Sequence, residues 1–172
     1  TKKFLNLRNN DPNFNRNYHS KFIDRFAFNY IGLNMRPDGI KHKKFFIDKK
    51  VRRAIAHLTP VDKIIEVIAY NEAIRQTANI SPLKNSYNDT LQEISYDIEK
   101  AKKLLDKAGW IDTDDDNIRD KIVDGEKLQM SFNLSYMSSP IAQQLVLILQ
   151  ESMKQAGVNA IPSPMDFTLF YD

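Results

Sequence analysis

Asp112, Asp114 and Asp116 are the residues whose spacing most invites chemistry, because carboxylates at positions 1, 3 and 5 of a loop are what a hard cation such as calcium selects. The rest of that loop does not follow, since Asn117 stands where the sharp turn requires Gly and Val123 where a bidentate Glu closes the shell. A solvated acidic turn without a metal is the expectation. His19, His42 and His57 lie far apart, and none stands in His-x3-His or Glu-x-x-His spacing. The five glycines, Gly32, Gly39, Gly109, Gly125 and Gly157, never cluster, which removes a phosphate-cradling loop and a dinucleotide fingerprint. There is no Gly-x-Ser-x-Gly elbow, and with no cysteine there is neither a thiolate nucleophile nor a disulfide framework. These residues call for no cofactor and argue against an enzyme.

Binding is better served than reaction. Leu128, Met130, Phe132, Leu134 and Tyr136 alternate with polar residues, the signature of a strand over Leu128–Tyr136. Ser139 and Pro140 then supply the cap and first-turn residues of a helix. Tyr136, Ser138 and Ser139 therefore sit where a strand end meets a helix N-terminus, the place at which α/β sheets carry ligands. Gly32 interrupts the aromatic and β-branched run Phe26–Asn34, and its missing side chain marks a bulge or a close approach to the backbone. A different chemistry is offered by Lys41, Lys43, Lys44, Lys49, Lys50, Arg52 and Arg53, which are interleaved with Phe45 and Phe46 as in a nucleic-acid binder that holds phosphates and stacks bases. The plainer account of that stretch is a solvated loop and helix face. A formal net charge of +3 is too small to choose between them.

These residues need a scaffold, and the pattern around them is that of an α/β domain. At 172 residues with 42% hydrophobic content the chain can build one core. Residues 1–24 read as an irregular lead-in with one helical turn around Phe4 and Leu5, and 25–172 as the folded body. Val51, Ala54, Ile55 and Leu58 line one helical face behind an Asp48 N-cap. Val61, Ile64, Ile65 and Ile68 line a second, with Thr59 expected to accept from the Asp62 amide and Pro60 in the first turn. An irregular excursion follows over 71–93. Ile98, Ala101, Leu104, Leu105 and Ala108 form a third face between an Asp97 cap and Gly109, with Trp110 as a packing anchor. The helix opened by Ser139 ends at Gly157, Val158–Pro162 is a short strand, and Asp166 caps a last helix. The expected fold is a mixed sheet near Phe26–Asn34, Leu128–Tyr136 and Val158–Pro162, with the four helices packed on it. No apolar run approaches the ~20 residues of a membrane span.

Several of these stretches together resemble the family 5 extracellular solute-binding proteins, the oligopeptide-, dipeptide- and nickel-binding receptors of ABC importers. Tyr30-Ile-Gly-Leu-Asn34 is similar to the strand that opens their second lobe. Asp48-Lys-Lys-Val-Arg-Arg-Ala54 resembles their Asp-x-Arg-Val-Arg-x-Ala, with Lys50 for the usual Arg, and Asp62-Lys-Ile-Ile65 their following helix start. Tyr96-Asp-Ile-Glu-Lys-Ala101 through Leu104-Leu105 to Ala108-Gly-Trp110 matches Tyr-Asp-Pro-Glu-Lys-Ala-x-x-Leu-Leu-x-x-Ala-Gly-(Trp/Tyr), with Ile98 in place of Pro. The resemblance covers roughly residues 24–172. It implies a two-lobed, type II periplasmic-binding-protein-like fold of which this chain is most of the second lobe, with the first lobe supplied elsewhere in the same protein. It further implies a peptide or similar small solute as ligand, a membrane permease as partner, no nucleic acid, and a periplasmic or cell-surface, lipid-anchored location. Tyr30, four residues before the closing Asn of the opening strand, then becomes ligand-facing; the other reading makes it a core residue with a satisfied hydroxyl.

Overall fold

A computed structural model describes residues 2–21, 23, 28–35 and 45–166. They form two compact units, Thr1–Tyr30 with Ala78–Leu91, and Ile31–Thr77 with Gln92–Asp172. Lys41, His42, Lys43, Lys44 and Phe26 of the sequence reading, and the last helix after Asp166, lie outside the described residues.

The first unit holds α1 (Lys2–Asn10) and α2 (Pro12–Asn17), where the sequence reading expected mostly loop. Asp11 is the reason: its side chain accepts from the amides of Asn13 and Phe14 while Pro12 fills the first helical position. Phe14 then meets Phe4 edge to face at 5.9 Å and stacks on Tyr18 at 5.0 Å, which joins the two short helices.

The second unit is an α/β body. α3 (Lys49–His57) begins where expected, with Asp48 accepting from the Lys50 amide at 2.7 Å, and it buries Val51, Ala54 and Ile55, with Leu58 buried just after it. α4 (Val61–Ala69) departs from expectation. Pro60 is its cap residue with no side-chain cap bond, and the Thr59 hydroxyl donates back to the Ile55 carbonyl at 2.9 Å instead of accepting from the next turn. α5 (Ile98–Lys107) is capped by Asp97 on the Lys100 amide and packs against α3. Gly109, at φ +79°, lets the Trp110 amide return to the Leu105 carbonyl, which drives the indole into the core against Phe45 at 5.1 Å.

The nine-residue alternation is two strands. β1 (Asp120–Val123) and β2 (Glu126–Gln129) form an antiparallel hairpin around Asp124 and Gly125, both at positive φ as a two-residue turn demands. β3 (Ser131–Met137) belongs to a second, parallel pair with β4 (Asn159–Met165). Met130 is the break, because its amide donates to the Arg119 carbonyl and its own carbonyl accepts from the Asn159 amide, so the chain changes partners there. β1 lies in the stretch that composition marked only as an acidic turn, and β4 runs beyond the short strand expected. α6 (Pro140–Lys154) crosses from β3 to β4, giving a β-α-β unit.

The strand expected over Phe26–Asn34 is not found in its described part. Residues 28–35 form neither helix nor strand, and over 30–34 burial alternates so that Ile31 and Leu33 pack on the core while Tyr30 and Gly32 are exposed. A period of 2 reports which side chains are covered and does not supply a strand partner. No helix among the described residues is long and apolar enough to cross a membrane.

Candidate functional site

Parallel β3 and β4 end on the same side, and α6 begins there. The Ser138 amide donates to the carbonyl of Met165, the last residue of β4, at 3.1 Å. Ser139 Oγ accepts from the Ala142 amide at 3.1 Å, and the Gln143 amide donates to the Ser139 carbonyl at 2.9 Å, so Ser139 is the cap that the sequence implied. Tyr136, half-buried and in register with Pro164, stands two residues before Ser138. Tyr136, Ser138 and Ser139 are thus brought together at the carboxyl ends of the strands and the positive end of a 15-residue helix. Tyr30 and Gly32 lie on the irregular segment 28–35, Tyr30 at the edge of the first unit and Gly32 in the second. Tyr30 is 80% exposed with its ring 5.9 Å from that of Phe28, which excludes the core reading of this residue.

The set contains no Asp, Glu, Lys or Arg. At the strand ends, Tyr136, Ser138 and Ser139 present hydroxyl groups and one aromatic face beside the N-terminus of α6. Ser139 Oγ is engaged in capping, so it is not poised as a nucleophile.

The titratable groups lie elsewhere. Asp120 is 2% exposed; burial by itself would raise its carboxyl, but the Thr113 amide at 3.0 Å, the Thr113 hydroxyl at 2.8 Å and Lys127 Nζ at 3.3 Å together hold it below the ordinary carboxylate value. The same grouping, led by the bond to Asp114, raises the Lys127 ammonium. Carboxylate oxygens of Asp112, Asp114 and Asp116 lie within 4.8 Å of one another. Each is already engaged: Asp112 by the Asn117 amide, Asp114 by Lys127 at 2.7 Å, and Asp116 by the Ile118 amide and Gln129. His57 is buried in the core with Nδ1 2.7 Å from the Ser95 carbonyl.

Phe45 and Phe46, offered by the sequence as base-stacking residues, are core residues. Phe45 packs on Trp110, and Phe46 meets Phe132 at 5.1 Å. Arg52 is turned onto the carbonyls of Phe46 and Ile47 at 2.7 and 2.8 Å. The nucleic-acid reading therefore loses its aromatic half and one of its cations. A cleft of about 190 Å³ lies between Pro60 at the start of α4 and Ser152 on α6, with Tyr96 on its wall. Sequence reading gave no signal of it. At 1.5 Å per residue, Ser152 is about 20 Å along the helix from Ser139, so this cleft is not part of the strand-end site.

The second unit is a mixed α/β body in which the ends of β3 and β4 meet the N-terminus of α6. Residues 3–172 match the family model described as bacterial extracellular solute-binding proteins, family 5, middle region, and the chain belongs to that family. It is similar to the oligopeptide-binding protein AppA of Bacillus subtilis, 28% identical over 134 residues that cover 77% of this chain and 23% of that protein. It is also similar to the dipeptide-binding protein of Escherichia coli K12, 39% identical over 138 residues, covering 76% and 21%. Among solved structures, B. subtilis AppA in complex with a nonapeptide superposes with a TM-score of 0.68 at 26% identity, over 75% of this chain and 25% of that one. The chain spans about a quarter of the length of the curated relatives it matches.

Proposed function

We propose that the protein to which Thr1–Asp172 belongs is the substrate-binding component of an ABC importer, and that it closes two lobes on a peptide or a similar small solute. This chain contributes part of one wall, with Tyr136, Ser138 and Ser139 at the strand ends and Tyr30 and Gly32 on the segment 28–35. The role is capture and delivery to a membrane permease, without catalysis and without a nucleic-acid ligand, from a periplasmic or cell-surface position held by a lipid anchor. The observation that carries this reading is the β3-α6-β4 unit of a family 5 chain, whose strand ends and helix N-terminus converge on exposed Ser138 and Ser139. In the full-length protein, Tyr30→Ala lowers solute affinity by about tenfold, the loss expected for one buried aromatic contact, with the melting temperature within about 2 °C of wild type. Calorimetry with a peptide pool reads the first and a thermal melt the second. Unchanged affinity rejects Tyr30 as a ligand contact.

A further inference from the structure

The cleft between Pro60 and Ser152 is not used by the strand-end site, and every residue that lines it belongs to the second unit. Pro60, Asp62 and Lys63 come from the start of α4. Ile148, Glu151, Ser152 and Gln155 come from the last two turns of α6 and its C-cap, and Tyr96, just ahead of α5, completes the lining. At about 190 Å³ the cleft falls below the roughly 300–1,000 Å³ of sites for drug-sized ligands, so its occupant is smaller than a peptide of several residues.

The lining carries Asp62, Lys63 and Glu151, of which only Asp62 is committed, to Arg75 at 3.2 Å. Lys63 and Glu151 are exposed, and among the described residues neither side chain has an ion-pair or hydrogen-bond partner. Opposite charges that line one cleft and do not meet leave room for a molecule that satisfies both. The helix ends act in the same sense, since Lys63 stands at the positive end of α4 and Glu151 at the negative end of α6. Buried Ser152 Oγ donates to the Leu58 carbonyl at 2.6 Å and lies 3.2 Å from the Tyr96 hydroxyl. Its single proton serves the shorter bond, so Tyr96 donates to Ser152 and keeps its own lone pairs for a donor in the cleft. Pro60 and Ile148 add apolar surface.

We propose that this cleft binds a free aliphatic α-amino acid as its zwitterion, with Lys63 on the carboxylate, Glu151 and the Tyr96 hydroxyl on the ammonium, and Pro60 and Ile148 against the side chain. Two charge-assisted contacts of opposite sign select the zwitterion over a simple amine or a simple acid, each of which leaves one charge of the cleft unmet. Ser152 lies about 20 Å along α6 from Ser139, so the site is independent of whatever solute is captured at the strand ends.

Methyl NMR of the full-length protein labelled at isoleucine tests it, with Ile148 as the reporter in the cleft and Ile141, near the start of α6, as the internal control. L-valine shifts the Ile148 signal saturably, with a midpoint below about 1 mM, and leaves that of Ile141 in place. Isobutylamine, which lacks the carboxylate, and isovalerate, which lacks the ammonium, each bind at least about tenfold more weakly, the loss expected for one hydrogen bond to a charged group. Lys63→Gln abolishes the preference for valine over isobutylamine, and Glu151→Gln abolishes the preference over isovalerate. Both positions are exposed, so the two variants keep the fold and the readout. Equal binding of valine and either analogue, preferences that survive these substitutions, an Ile148 signal that moves together with that of Ile141, or no response of Ile148 up to about 10 mM valine overturns the proposal.

Discussion

α3 and α4 carry the same apolar spacing and are both nine residues long, yet α3 buries Val51, Ala54 and Ile55 and α4 buries none of its residues fully. The difference lies in what covers them. α3 is packed against α5 and beside Phe45, Phe46 and Trp110, whereas α4 rests on α6 and offers the core only Ile64. Periodicity states which face of a helix is covered, and the number of neighbouring elements decides how deeply.

Substitutions should reproduce this contrast. Leu58→Ala, at a fully buried position, lowers stability by about 3 kcal/mol, while Ile65→Ala on half-buried α4 costs about 1 kcal/mol. Urea unfolding of the two variants measures both. Equal costs would mean that α4 is as deeply covered as α3 and would remove the distinction.

The glycines at positive φ divide in the same way. A Cβ on Gly157 would lie 2.9 Å from Arg119 Cγ, and Arg119 cannot yield because Nε is held by the Ala156 carbonyl at 2.7 Å and Nη1 by the Trp110 carbonyl at 2.6 Å. Gly125, at the tip of the hairpin, has open space around it. Gly157→Ala is expected to cost about 2 kcal/mol and Gly125→Ala about 1 kcal/mol, the backbone strain alone. Thermal melts of the pair separate crowding from strain.

A buried and an exposed aspartate give a contrast that is read against pH. The Asp120 carboxyl is held below its usual value of 3.8 in the fold, so its contribution is fully present above that value and is lost as pH falls through the folded value. Asp120→Asn is therefore less stable than wild type at neutral pH, and the two converge on acidification below about pH 4. Asp116→Asn, on the exposed turn, should track wild type closely throughout. A gap for Asp120→Asn that stayed constant down to strong acid would contradict the role assigned to that carboxylate.

What could be read in the chain before folding was whatever local chemistry dictates. Asp48, Asp97 and Ser139 announce helices by capping, and Gly109 and Gly157 announce their ends, so α3, α5 and α6 were legible. The same logic at Asp11-Pro12 would have found α2, but the Asn-rich surroundings masked it. Non-local facts were not legible. Nothing in the alternation Leu128–Tyr136 tells that Met130 changes partners from Arg119 to Asn159, nor does an extended aromatic run reveal that residues 28–35 lack a ladder. Phe45 and Phe46 looked like stacking residues because basic neighbours surround them in sequence, whereas in space they meet Trp110 and Phe132. At the site, the strand end and the cap placed Tyr136, Ser138 and Ser139 together in advance, since both are local. The place of Tyr30 rests on the family resemblance, and its exposure is a property of the fold.

The central claim is that this chain forms one wall of a site whose affinity comes from burying the solute on both sides. A single wall leaves the ligand half in water, where its polar groups compete with solvent for every hydrogen bond, so affinity should collapse rather than halve. Calorimetry of Thr1–Asp172, shown to unfold cooperatively, and of the full-length protein against the same pool of di- to pentapeptides decides the matter. The account predicts saturable binding by the full-length protein and none by the chain up to about millimolar peptide, near the weak end of measurable affinity. Saturable binding at about micromolar peptide by Thr1–Asp172 alone would show that the site is complete within it, and would contradict the two-walled account.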